Sequence, residues 1–148
     1  MRGYAAIGLY HPKTDCNVGG AARAASVYGA ALVVVQARKF VRYSTDTTKA
    51  WRSIPTIVVE DLWAAVPVGC VPVVIEKSKR AVSLFNFCHP ERAFYIFGPE
   101  DGSVPEHIQS QCGNVVCIPM EYCMNLAATV NVVLYDRAAK QAARETMP

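Results

Sequence analysis

The chain has 148 residues, 52% of them hydrophobic and 18% charged, with a formal net charge of +3. A chain of this length buries a large core without disulfides or metal, and one domain spanning residues 1–148 is the expectation. No window approaches the ~20 uninterrupted apolar residues of a membrane span, and a pI near 8.6 permits an RNA partner without demanding one.

In chain order, "YAAIGLY" (4–10) reads as a strand that ends in "HPKTDCNVGGAARAA". The N-terminus is too short and too strand-like for a signal peptide, so a cytoplasmic protein with no membrane partner is expected. Residues 17–29 read as a helix with Asn17 at an N-cap-like position and Gly29 as its C-cap. Neither G-x-G-x-x-G nor the P-loop pattern is present, which removes the two commonest nucleotide-binding readings. What remains is Asn17, Gly19 and Arg23 in an N-x-G-x-x-x-R arrangement, with small residues that leave the helix flank open to close approach.

A strand at 31–36 is followed by the basic segment 36–53, which carries Arg38, Lys39, Arg42, Lys49 and Arg52. It reads either as a solvated loop or as a phosphate-contacting loop with Tyr43 or Trp51 for stacking. Strands follow at 55–60, 71–76, 92–98 and 114–119, with short helices at 61–66 and 104–112. The last helix runs from about Asn125 to about Arg144, with Leu126, Val130, Val133 and Leu134 at i, i+4, i+7 and i+8. The apolar runs are continuous rather than alternating, so they are buried on both faces. The expected fold is α/β, with a mostly parallel six-stranded sheet and helices on both faces.

Six cysteines form no C-x-x-C pair, and three histidines are scattered, so no metal site is expected. The thiols are expected reduced and mostly buried, Cys123 apart. Each of three strand ends, taken alone, also reads as an ordinary turn and cap. They are the "NVGGAAR" stretch, "FGPEDGSVPE" (97–106) and "CIPMEYCMNLAATVNVVLYD" (117–136).

Asn17, Gly19 and Arg23 after the first strand, Gly98-Pro99-Glu100 after a later one, then Ile118-Pro119-Met120 followed by Met124-Asn125-Leu126, resemble the SPOUT superfamily of methyltransferases. The resemblance is to its SpoU (TrmH-like) branch, and within that to the minimal tRNA wobble-nucleotide 2′-O-methyltransferases. It implies a C-terminal deep trefoil knot, a homodimer with its active site at or near the subunit interface, and methyl transfer from S-adenosylmethionine to a ribose 2′-hydroxyl of RNA without metal. The high apolar content fits burial in such an interface.

The resemblance also implies the site. Arg23 would act as the motif arginine, as base or phosphate clamp, with Asn17 and Asn125 in orienting roles. The cofactor would be held by Ile75, Glu76, Gly98, Glu100, Ile118, Met120, Cys123, Met124 and Leu126. RNA would be bound by Arg23, Arg38, Lys39 and Arg42. Two positions depart from the pattern: Cys123 stands where the branch usually has serine, and Gly102 arrives one position early after Glu100. A catalytically impaired RNA-binding paralogue and a ribosomal RNA 2′-O-methyltransferase are alternative readings. A nucleotide-binding oxidoreductase domain is disfavoured by the missing glycine fingerprint.

Overall fold

A computed structural model of the protein describes residues 3–37 and 52–146. Runs rich in valine, isoleucine and aromatic residues, which suit a pleated buried surface, form seven strands. They are β1 (Tyr4–Tyr10), β2 (Leu32–Gln36), β3 (Thr56–Val59), β4 (Val71–Ile75), β5 (Val82–Ser83), β6 (Arg92–Phe97) and β7 (Asn114–Cys117). The sheet order is β3-β2-β1-β6-β4-β7-β5. Every pairing is parallel, with Ile7 opposite Val33 and Tyr95 on its two sides.

The sheet therefore has seven strands, not the six expected, and it is wholly rather than mostly parallel. The missed strand, β5, is two residues long and pairs with Val116 and Cys117 of β7 at the sheet edge. No hydrophobic run marks so short a segment. Tertiary pairing with β7 creates it.

Alternate residues of the central strands face two separate cores, as parallel burial on both faces requires. Ile7, Leu9, Val33, Val35, Val73, Tyr95 and Phe97 pack on one side with Val18, Leu126, Val130, Val133 and Leu134 of α1 (Asp15–Val27) and α3 (Leu126–Glu145). Ala6, Val34, Val74, Phe94 and Ile96 pack on the other with Leu62, Ile108 and Cys112, next to the short α2 (Glu106–Gln111) and a 3-10 turn at Trp63–Ala65. Gly8 is dictated by this second core. A Cβ there would lie 2.7 Å from the Phe94 ring, closer than real Cβ atoms approach, and a tight 3.0 Å from Leu62.

The helix boundaries follow capping chemistry. Thr14, not Asn17, is the N-cap of α1, with its side chain accepting from the Asn17 N–H. At the other end Ala30 N–H bonds Ala25 O at 2.8 Å and Gly29 N–H bonds Ser26 O at 3.4 Å, with Gly29 at φ +67°. That is a Schellman motif, the stop expected from Gly29. Small residues on α1 let α3 come close, so a Cβ on Gly20 would sit 2.7 Å from the Ala127 Cβ.

The far part of α3 is fastened to the segment between β5 and β6 by buried polar groups. Arg137, 3% exposed, donates to Pro90 O at 2.6 Å, Glu91 O at 2.8 Å and the Tyr95 hydroxyl at 3.1 Å. His89 Nε2 meets Asp136 at 2.8 Å and Nδ1 meets the Tyr95 hydroxyl at 2.6 Å. With His89 neutral and its proton on Nε2, the Tyr95 hydroxyl donates to Nδ1 and accepts from Arg137, so each group is satisfied. Lys140 bonds Asp136 at 2.7 Å and donates to Leu84 O at 2.5 Å. Among the described residues no helix is long and apolar enough to cross a membrane.

Candidate active site at the carboxyl ends of the strands

In an open α/β sheet, ligands bind outside the carboxyl ends of the strands. Here Ile75, Phe97 and Cys117, at the ends of β4, β6 and β7, open into a cavity of about 270 Å3. Ile118, Met120, Met124 and Leu126 give it apolar walls, and Glu76, Glu100 and Thr129 add polar groups. All nine residues expected at the cofactor line it: Ile75, Glu76, Gly98, Glu100, Ile118, Met120, Cys123, Met124 and Leu126. An elongated amphipathic ligand suits such a wall.

Glu100 joins the loop after β6 to the segment that leads from β1 into α1. Its carboxylate accepts from the Lys13 N–H at 2.9 Å, the Thr14 N–H at 3.3 Å and the Asn17 side-chain amide at 2.5 Å. Burial by itself would push the Glu100 carboxyl up. The hydrogen bonds from Lys13, Asn17 and Thr14 outweigh it and hold the group below its ordinary value. Next to it, Lys13 forms an ion pair with Asp101.

Asn17 carries the connection onward. Its Oδ1 accepts from the Asn125 amide at 2.7 Å, while Asn125 Oδ1 caps α3 by accepting from Ala127 N–H at 2.9 Å and Ala128 N–H at 3.3 Å. One unbroken chain, Glu100–Asn17–Asn125, thus ties the ends of β1 and β6 to the mouth of α3. The Asn17 and Asn125 amide orientations are fixed, because each side chain uses both its donor and its acceptor end.

Glu76 lines the cavity with its oxygens already engaged, Oε2 by Val104 N–H at 2.9 Å and Oε1 by Lys77 N–H at 3.0 Å. It shapes the turn after β6, where a Cβ on Gly98 would lie 3.0 Å from the Val104 nitrogen. Gly102 closes the turn through a bond from its N–H to Pro99 O at 3.4 Å.

Arg23 is not brought to this cluster. It lies on the exposed side of α1, outside the cavity and without a partner among the described residues, whereas Asn17 is buried and bonds Glu100 and Asn125 instead. Arg38, Lys39 and Arg42 lie outside the described residues, as do Tyr43, Lys49 and Trp51. The cysteines depart from the expectation of mostly buried thiols. None of the six forms a disulfide, but only Cys112 is buried, while Cys16, Cys88 and Cys123 are exposed. Among the described residues no group of three or more His, Cys, Asp or Glu side chains could hold a metal ion.

Sequence reasoning missed Lys13, Thr14, Thr129 and Tyr122. Thr14 was discoverable as a hydroxyl residue followed by Asp15, a cap and an acidic first-turn residue that would have started the helix two residues earlier. Lys13 holds Glu100 through its backbone N–H, which every residue type carries, so for that contact its identity gives no signal.

The sequence profile of the SpoU rRNA Methylase family matches residues 4–135. The chain belongs to this family. No curated protein matches it closely enough to count as a relative. Solved structures share the SpoU fold. AviRb from Streptomyces viridochromogenes, described as a SpoU methyltransferase, superposes with a TM-score of 0.82 at 19% identity, over 97% of this chain and 62% of that one. An rRNA methyltransferase from Sinorhizobium meliloti, solved with AdoMet bound, gives a TM-score of 0.78 at 19% identity, over 100% of this chain and 59% of that one. A structure described as giving insights into the 2-OH methylation of C/U34 on tRNA gives 0.77 at 24% identity, over 96% of this chain and 93% of that one. The chain thus spans about three fifths of the first two and most of the third. These likenesses establish the fold.

Proposed function

We propose that this SpoU-family chain transfers a methyl group from S-adenosylmethionine to a ribose 2′-hydroxyl of RNA, with tRNA and its wobble nucleotide as the favoured substrate. The observation that carries the reading is the cavity at the ends of β4, β6 and β7, with the Glu100–Asn17–Asn125 bridge in place beside it. The tRNA reading is supported by the tRNA-methylation structure, which this chain matches over nearly the full length of both. The S. meliloti structure and the family's own description favour ribosomal RNA as the second reading.

Ile118, Met124 and Leu126 would hold the apolar parts of the cofactor and the turn from Gly98 to Gly102 its polar end. When bound, the cofactor supplies a methyl group already activated on a sulfonium. The chain's own residues then have to align the acceptor and dispose of a proton. Glu100 fixes the loop after β1, Asn125 fixes the mouth of α3, and Asn17 locks the two together. Arg23, always charged, suits a clamp on the phosphate beside the target ribose.

Arg23 is exposed and does not line the cavity of its own chain, so we propose a homodimer in which Arg23 of one protomer serves the cavity of the other. We also propose that the chain is threaded as a trefoil knot. In support, β7 inserts between β4 and β5, and α3 is fastened across the 84–91 segment that returns to β6. A cytoplasmic site of action and a single domain over residues 1–148 complete the proposal.

The test is incubation with radiolabelled S-adenosylmethionine and total tRNA or ribosomal RNA, followed by nucleoside analysis, with Arg23→Ala as control. The expected outcome is a 2′-O-methylated nucleoside that the variant fails to make, while calorimetry shows its cofactor binding intact. Cofactor and RNA binding without any methyl transfer would instead identify an impaired paralogue.

A further inference from the structure

A second pocket lies on the same carboxyl edge of the sheet, at the ends of β1 and β2 and beside the second core. It measures about 290 Å3, close to the lower end of the ~300–1,000 Å3 range of small-molecule sites. Six residues define its chemistry: Tyr10, Gln36, Asp61, Trp63, His107 and Gln111. Three are aromatic rings. The other three are polar side chains, and each is pinned at one end to backbone. Gln36 Oε1 accepts from Leu62 N–H at 3.0 Å, which leaves its amide N–H groups to donate. Asp61 Oδ1 accepts from Trp63 N–H at 3.0 Å, which leaves Oδ2 to accept. Gln111 Nε2 donates to His107 O at 2.8 Å, which leaves Oε1 to accept.

Stacking faces combined with preset donors and acceptors match the needs of a nucleobase, which has two π-faces and a polar edge. An acyl chain would leave the pinned polar groups unpaired, and a bare phosphate would meet the Asp61 carboxylate. The position also fits. Tyr10 is followed by His11, at φ +44° the one described non-glycine residue with positive φ, and then by Lys13 and Thr14, which hold Glu100. A conformation that unfavourable for a side chain persists only where its surroundings enforce it. The loop from Tyr10 to Thr14 therefore joins the second pocket directly to the wall of the first.

We propose that the second pocket binds an unstacked nucleobase of the RNA substrate, flanking the nucleotide that is methylated. The proposal rests on the RNA-methylation reading of the first cavity and adds the element that selects RNA sequence near the target.

The test uses the full chain, bulk tRNA as the probe, and two variants on exposed side chains, Asp61→Asn and Gln111→Ala. Ultraviolet crosslinking with mass-spectrometric mapping is expected to mark Tyr10, Trp63 or His107. Both variants are expected to weaken tRNA binding about tenfold, with calorimetric S-adenosylmethionine affinity unchanged. Crosslinks confined to other surfaces, with both variants binding tRNA like the parent, would overturn the pocket proposal and leave the methyltransferase reading standing. A parent protein that binds S-adenosylmethionine but neither tRNA nor ribosomal RNA would overturn both.

Discussion

At the scale of single residues, Glu100 and His89 show how burial and hydrogen bonding set charge states. The Glu100 carboxylate is held ionised by the N–H groups of Lys13 and Thr14 and the amide of Asn17. Its folded pKa is depressed, so its contribution is complete above the ordinary carboxylate value and is lost as pH falls through the lower folded value. Glu100→Gln keeps the shape and removes the charge. It is expected to cost about 1 kcal/mol at neutral pH, a modest figure because the group is partly solvated, and to remove that acid-side loss. Urea midpoints of both proteins across the acid range check this.

His89 behaves differently. Burial, the largest influence, keeps it neutral against the pull of Asp136, and Lys140 and Arg137 add to the effect. The unfolded chain takes up a proton at His89 below about pH 6.5, where the native state does not, so stability is full above that value and falls below it. His89→Gln is expected to lower stability at pH 8 but to flatten the decline between pH 7 and 5. An unchanged slope in the variant would show that His89 does not titrate on unfolding. Tyr95, pushed up to about 12 by burial, stays protonated throughout this range.

At the scale of elements, the contact between α1 and α3 decides whether the site assembles. Gly20 lies where a Cβ would come within 2.7 Å of Ala127, so Gly20→Ala forces the helices apart. The intrinsic helix preference for alanine would favour the substitution, and the clash opposes it. The clash is expected to win by about 1–2 kcal/mol, because real Cβ atoms do not approach so closely. The same displacement stretches the Asn17–Asn125 bond, so methyl transfer should fall by more than stability does. Adding Ala127→Gly is expected to restore both, read by thermal unfolding and by initial rates.

At the scale of the whole molecule, the proposed homodimer predicts sharing of sites between protomers. Arg23→Ala removes the clamp. Cys123→Trp, on an exposed residue at the cavity rim, adds bulk to the cavity without touching the core. Each variant alone is expected to be inactive, while a mixture allowed to exchange subunits should regain activity. The regained heterodimer would hold one site with both an intact cavity and an intact Arg23. A mixture as inactive as its components would place Arg23 and the cavity it serves in the same chain. The fastening of α3 also belongs to this scale. Arg137→Met would leave Pro90 O, Glu91 O and the Tyr95 hydroxyl without their buried donor, at an expected cost of about 3 kcal/mol in urea unfolding.

The sequence by itself determined the α/β class, six of the seven strands and the stop of α1 at Gly29. Continuous apolar runs and a left-handed glycine are local signals, and burial on both faces leaves them little alternative. It also named Asn17, Glu100 and Asn125, because three strand-end motifs in order carry a family pattern. The tertiary structure decided the rest. It created β5 from a pair of residues with no pattern of their own. It moved the cap of α1 from Asn17 to Thr14 and so released Asn17 to join Glu100 to Asn125. It left Arg23 exposed and out of the cavity lining, and it gathered Tyr10, Gln36, Asp61, Trp63, His107 and Gln111 into a second pocket. These outcomes depend on partners 80 to 110 residues away or on different elements, as in the Asn17–Glu100 and Asn17–Asn125 bonds, separated by 83 and 108 residues. Periodicity and capping act over a turn or a pleat, so contacts of that separation leave no trace in them.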